Sequence, residues 1–311
     1  MLVPSRRRWR LLSLLCTALA AALACVPVAS ADQAPSNLTP PKAYYLALGD
    51  SLAYGYQQAK FAAELPAIDP STFNTGYVDV FASRLQQLSK GIVTVNDGCP
   101  GETSDSMING GPTPGTCATG NGFPSPWLHH PYTGSQMDDA IAFLQAHSKN
   151  TSPVTINIGA NDLLATQRQC AAEFGDGTLA DLQCIQTRAP LTIGHVAQNL
   201  GSMLARIRAA APTTEIIVMG LYNPQFTLPG GDDLITQGFN PAMAGVAAQH
   251  GAFFADPFNT INHGAGYPSE AASVCSQIAI CTPLRDIHPF DNGYAAIADV
   301  IWDASGYAAL K

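Results

Sequence analysis

Apolar residues in this chain follow two rhythms. Short unbroken runs come first: Ala43-Tyr44-Tyr45-Leu46-Ala47-Leu48 stops at Gly49-Asp50-Ser51. A run of that length, bounded by Gly and Asp, suits a strand buried on both faces. Ile92–Val95, Val154–Ile158, Glu215–Leu221 and Ala252–Ala255 read as further short strands. Between them the apolar positions repeat at helical spacing. Val78, Phe81, Ala82 and Leu85 make one such face, and Met137, Ile141 and Leu144 another. Ile193, Val196, Leu200, Met203, Leu204 and Ile207 mark a longer amphipathic helix that stops near Pro212, and Ala242–His250 a shorter one. Asp291 reads as the cap of a last helix carrying Tyr294, Ile297, Ala298 and Ile301 on one face. Five strands alternating with helices predict a single three-layer α/β domain with a mostly parallel sheet. Tyr56–Gly76, Asp97–Tyr132, Ala165–Ala189 and Asn223–Gly238 lack a clear rhythm and read as loops. Loops of such length in a compact domain are usually functional or disordered.

The first 31 residues follow a different logic. Arg6, Arg7, Arg8 and Arg10 precede an apolar stretch from Leu11 to Val28, and Ala29-Ser30-Ala31 offers small residues for cleavage. That is the layout of a secretory signal peptide. An uncleaved membrane anchor is the alternative, since the apolar stretch nears the length of a spanning helix. A lipid-modified Cys25 fits less well, because Ala22 stands where a leucine is usual. Residues 32–42 are polar and proline-rich and read as a flexible leader, leaving 43–311 as the domain. Hydrophobic residues make up 47% and charged residues 12%, enough for a large core. The chain carries a formal charge of −8, and loss of the four leading arginines makes it more acidic still. This argues against nucleic acid and against anionic lipid surfaces as partners. No later segment is apolar enough to insert stably in a membrane. Beyond Cys16 and Cys25 there remain Cys99, Cys117, Cys170, Cys184, Cys275 and Cys281. An even number in an exported chain reads as disulfides. Of the fifteen pairings, the sequential one is favoured, because each pair then brackets a loop-like segment. A zinc site built on these cysteines lacks a Cys-x-x-Cys pair and a histidine at ligand spacing, so no metal is expected.

Four short pieces carry chemistry. Gly49-Asp50-Ser51-Leu52 places a serine just past the first strand, at the sheet edge where open α/β folds hold ligands. It is not the nucleophile elbow of α/β-hydrolases, which needs glycine two residues after the serine, where Ala53 stands. Gly101, in Cys99-Pro100-Gly101-Glu102, follows the second strand and can present a bare N–H. Asn161, in Gly159-Ala160-Asn161-Asp162, follows the third strand and offers an amide donor. With the N–H groups of Ser51 and Gly101 it could form an oxyanion hole. His288, in Asp286-Ile287-His288-Pro289, could take the serine proton, and Pro289 biases it toward an extended backbone. Each piece alone also suits a turn, a helix cap or a loop residue. Of the six other histidines, His129 and His130 sit in the Pro/Gly-rich loop, His147 and His195 on expected helix surfaces, and His250 and His263 lack a motif partner.

Taken together and in this order, the four pieces resemble the SGNH hydrolases, also called GDSL esterases and lipases. Ser51, Gly101, Asn161 and His288 match the family's four eponymous residues, and the likeness runs from about residue 43 to 309. The resemblance implies a three-layer α/β/α sandwich with a flavodoxin-like parallel sheet of order 2-1-3-4-5. It also implies ester hydrolysis through an acyl-serine without a cofactor. Secreted members with three disulfides look closest, so an extracellular monomer acting on a small-molecule or lipid ester is expected. One departure stands out: the family places its acid three residues before the histidine, where this chain has Arg285. Asp286 is only two residues away, and such neighbours point apart on an extended chain. It can orient His288 only if the loop bends; otherwise a carbonyl of Leu284 or Arg285 would serve. Glycan O-deacetylation, acyl transfer and a non-catalytic binding role are the alternatives. Phe123, Trp127, Phe226 and Leu228 are candidate apolar lining for an acyl chain.

Overall fold

A computed structural model describes residues 38–111, 116–117, 123–263 and 268–310. The expected signal peptide and the leader as far as residue 37 lie outside the described residues. Five strands form the main sheet: β1 (Tyr44–Gly49), β2 (Val93–Asn96), β3 (Thr151–Asn157), β4 (Ile216–Met219) and β5 (Phe253–Ala255). Their order is 2-1-3-4-5 and every pairing is parallel. This is the expected architecture. Parallel strands need crossover helices, and these cover both faces of the sheet.

Side chains alternate across β1 and meet a different layer on each face. Leu46 and Leu48 join a core with Met137 and Leu144 of α3 (Gln136–His147) and with Val196, Leu200 and Met203 of α5 (Leu179–Ala210). Met243 of α6 (Asn240–Gln249) closes the same layer. Tyr45 points the other way, and its ring meets Phe81 of α2 (Tyr77–Leu88) edge-on at 5.3 Å. Phe81 in turn packs on Trp302 of α7 (Asp291–Ser305). The Tyr45 hydroxyl shares a 2.8 Å hydrogen bond with Thr155 on β3, so this buried polar group is satisfied.

Several segments read as loops are helical. Ala165–Ala189 is a helical corner: α4 (Ala160–Phe174) turns at Gly175 and Gly177 into α5, which runs 32 residues. α5 continues through Pro190, although a proline inside a helix removes a backbone hydrogen bond. Packing of the apolar face outweighs that local cost. The Asn223–Gly238 segment becomes helical from Gly231 and leads through a wider turn at Leu234–Phe239 into α6. Short helices also occupy Gln58–Glu64 and Ser104–Asn109. Asp291 does not cap α7; Phe290 holds that position. The Asp291 carboxylate instead accepts hydrogen bonds from Gln57, Lys60 and Thr75, tying down the Tyr56–Gly76 segment.

The three sequential disulfides, Cys99–Cys117, Cys170–Cys184 and Cys275–Cys281, are all formed. Among the described residues no helix is long and apolar enough to cross a membrane. Cys170 and Cys184 pin the α4–α5 corner and lie 14 positions apart. Closing a loop of that size is worth about 3 kcal/mol through the unfolded chain. Cys170→Ser with Cys184→Ser should therefore lower unfolding stability by about 3 kcal/mol in a urea titration. Unchanged stability would show that the corner holds itself without the cross-link.

Candidate active site

The carboxyl edge of the sheet collects the four sequence motifs. β1 ends at Gly49, in register with Asn157 of β3. No side chain fits at Gly49: a Cβ there would lie 2.2 Å from the Asn157 amide oxygen. The backbone N–H and C=O of Gly49 are matched by one side chain. Gln136, the first residue of α3, accepts from the N–H at 2.7 Å and donates to the carbonyl at 3.0 Å. The chain then turns at once into a single helical turn, α1 (Ser51–Tyr54). Asp50 caps it by accepting the Leu52 N–H at 2.9 Å, and Asn157 donates to the same carboxylate oxygen at 2.6 Å. Tyr77 donates to the Asn157 amide oxygen at 2.7 Å, which fixes the amide's orientation. Burial pushes the Asp50 carboxyl up to about 6, against the opposing pull of the Leu52 and Asn157 donors. Ser51 is thus set by a buried hydrogen-bonded network rather than by a flexible loop.

His288 reaches Ser51 from the far end of the chain. Its Nε2 lies 2.8 Å from the Ser51 Oγ, and its Nδ1 lies 2.5 Å from Asp286 Oδ1. The loop does bend, and the bend has a cause in the backbone. Arg285 adopts φ +48°, the sole non-glycine residue with positive φ among the described residues. That conformation costs an arginine about 1–2 kcal/mol. It turns the Asp286 carboxylate under the imidazole instead of away from it. Asp286 Oδ1 also accepts the His288 backbone N–H, and Oδ2 accepts the Gln58 N–H at 2.8 Å. Burial opposes ionisation here, but the hydrogen bond and charge of His288, with the two backbone donors, hold the Asp286 carboxyl below the usual carboxylate range. The histidine's own backbone is clamped. Its carbonyl accepts from Ala279, the Ile287 carbonyl accepts from the Tyr222 hydroxyl, and Pro289 bridges Ile278.

The Asp97–Gly101 segment runs alongside β1 and α1. Asp97 and Cys99 donate their N–H groups to Ala47 and Gly49, and the Asn96 amide donates to Ala53. Gly98 passes so close that a Cβ would sit 2.6 Å from the Tyr54 nitrogen. Gly101 follows with φ +89°, a conformation that favours glycine. On the other side, Asn161 in the first turn of α4 donates an amide N–H to the Glu102 carbonyl at 2.9 Å. Its neighbour Asp162 accepts from both the Ser104 N–H and hydroxyl. Asn161 is therefore not a helix cap, and its second amide hydrogen is left to other partners.

Ser51, Gly101, Asn161 and His288 all line one cleft of about 640 Å³. Phe123, Trp127 and Leu228 line it as expected, joined by Phe61, Leu234 and Ile235. Phe226 does not; it lines a neighbouring cleft instead. Sequence reading missed Gln136, Asn157 and the Gln58 N–H. Asn157 alone carried a signal, as a polar residue inside an apolar strand run. The arrangement as a whole presents a hydroxyl, an imidazole and a carboxylate in hydrogen-bonded series beside N–H donors. Such a series can move a proton off the hydroxyl while donors receive developing negative charge.

Comparison with solved structures shows the same fold. An extracellular lipase from Streptomyces rimosus superposes with a TM-score of 0.54 at 19% identity, over 84% of this chain and 99% of that one. A lipase from a goat rumen metagenome gives 0.53 at 18%, covering 86% and 99%. A catalytic mutant of an acetylxylan esterase from Geobacillus stearothermophilus gives 0.52 at 15%, covering 87% and 97%. Among curated proteins no sequence match is found. The profile of the GDSL-like lipase/acylhydrolase family matches residues 47–296, a span holding Ser51, Gly101, Asn161 and His288. The chain belongs to the GDSL-like lipase/acylhydrolase family.

Proposed function

We propose that the chain is a secreted serine esterase or lipase that hydrolyses carboxylic esters through an acyl-serine. The observation that carries this reading is the continuous series Ser51 Oγ, His288 Nε2, His288 Nδ1 and Asp286 Oδ1, with contacts of 2.8 and 2.5 Å. In the first step His288 takes the Ser51 proton as Oγ attacks the ester carbonyl. The carbonyl oxygen, now an oxyanion, receives the N–H groups of Ser51 and Gly101 and the second amide hydrogen of Asn161. His288 returns its proton to the leaving alcohol. A water, deprotonated by the same imidazole, then cleaves the acyl-serine and restores the hydroxyl. Asp286 holds the imidazole with Nε2 facing the serine and stabilises the imidazolium that forms. None of these steps calls on a cofactor.

The lining of the cleft favours an apolar acyl group. Phe61, Phe123 and Trp127 form a cluster with ring centroids 5.6–6.2 Å apart, and Leu234 and Ile235 complete the apolar wall. A cleft of about 640 Å³ has room for an acyl chain as well as the ester. Three disulfides and the basic-then-apolar first 31 residues support export, with residues 1–31 removed as a signal peptide.

Two measurements check this reading. Asp286→Asn keeps the shape but lets the imidazole take the wrong tautomer, so kcat on a p-nitrophenyl ester should fall about 10⁴-fold with KM little changed. A loss under tenfold would assign the orienting role to a backbone carbonyl. Across p-nitrophenyl esters from acetyl to palmitoyl, kcat/KM should rise from acetyl to a medium or long chain. Highest activity on acetyl, falling with length, would instead favour a deacetylase.

A further inference from the structure

A second cluster of titratable side chains stands apart from Ser51 and takes no part in the chemistry above. Asp97 directly follows β2, and its side chain is wholly buried. His130 Nδ1 lies 2.7 Å from Asp97 Oδ1 and 3.5 Å from Asp139 Oδ2. One potential ligand atom from each of the three falls within 4.8 Å of the other two. Asp97 is turned into this cluster, with one carboxylate oxygen on His130. Its other oxygen, Oδ2, is buried without a hydrogen-bond partner. An unpaired buried oxygen of this kind costs free energy, and it commonly marks a place where water or an ion belongs. His130 and Asp139 are partly exposed, so the cluster is open to solvent on one side.

We propose that Asp97, His130 and Asp139 form a binding site for a zinc-class divalent cation. The donor set decides the class. One imidazole nitrogen and two carboxylate oxygens, completed by water, suit tetrahedral Zn²⁺. Ca²⁺ takes six to eight oxygens and finds too few here. The donors are not the cysteines, all six of which in the described residues are in disulfides. Binding needs the Nδ1 lone pair: an imidazolium gives its Nδ1 hydrogen to solvent and keeps the one on Nε2, whereas a neutral ring protonated at Nδ1 shifts that hydrogen through solvent to Nε2 with no net release. The two carboxylates face the cation instead of sharing a single imidazole proton. No bond in the ester chemistry depends on this exchange.

The site joins three separate stretches of chain: the end of β2, the segment carrying Trp127 and His130, and the first turns of α3. Asp97 lies four positions before Gly101, on the segment clamped along β1. A bound cation would brace that segment. His129, next along the chain, already holds the Tyr54 carbonyl at 2.9 Å, so both histidines of the pair anchor this corner. A ligand that binds the folded chain and not the unfolded one raises the melting temperature, by an amount that grows with the logarithm of its concentration over Kd.

The test uses the purified mature chain, stripped with EDTA and dialysed. ZnCl₂ is titrated by calorimetry, and melting temperature is followed with and without zinc. One zinc per chain and a rise in melting temperature are expected, with CaCl₂ giving neither at the same concentration. Asp139→Asn, on the partly exposed side, and His130→Gln should each weaken zinc binding at least tenfold. His195→Gln should leave it intact; that residue pairs with Asp105 on the surface and serves as the control for casual binding. Far-UV circular dichroism confirms that each variant is folded before titration. Loss of binding in either folded cluster variant supports the site. The proposal is overturned if the wild-type chain shows no saturable zinc binding, if both cluster variants bind like wild type, or if His195→Gln is the change that removes it.

Discussion

The Ser51–His288 hydrogen bond joins side chains 237 positions apart, and the rest of the molecule is arranged so that it can form. Neither partner could be placed by its own neighbours alone. Ser51 owes its position to β1, a central strand buried on both faces and flanked by β2 and β3. His288 owes its position to a loop held at Ala279, Ile278 and Tyr222. A parallel sheet makes the meeting possible. Each crossover returns the chain to the same edge, so residues after β1, β2 and β3 face one crevice although long segments separate them.

What keeps the crevice in shape is polar rather than apolar. Gln136 matches both backbone groups of Gly49, and the Tyr77–Asn157–Asp50–Leu52 chain sets the turn into α1. Asp162 and Asn161 tie the first turn of α4 to the segment that carries Gly101. Buried networks of this kind rigidify a site when every member is satisfied, and they fail sharply when one is removed. Such networks are hard to read from sequence, because most partners lie far apart along the chain. An Asn inside Val-Thr-Ile-Asn-Ile shows that something polar is buried, but not which carboxylate it serves.

The sheet was legible because each of its five strands is a short, largely apolar run closed by turn residues, whether fully buried like β3 or partly exposed like β2. The four eponymous residues were legible because three of them follow such runs directly. The α4–α5 corner was not. Gly175, Gly177 and Pro190 carry loop signals, while the continuous α5 packs against α3, α4 and α6. The acid partner of His288 shows the limit most clearly. Proximity in sequence named Asp286, yet only the left-handed backbone at Arg285 decides whether a residue two positions away can reach the imidazole. Arginine gives no hint of that conformation, which is imposed by the loop around it.

Labelling with a fluorophosphonate probe, read by mass spectrometry, tests the central claim most directly. The account predicts one covalent adduct, on the peptide containing Ser51, abolished by Ser51→Ala and slowed strongly by His288→Ala. An unlabelled wild-type chain, or an adduct that survives Ser51→Ala, would contradict it.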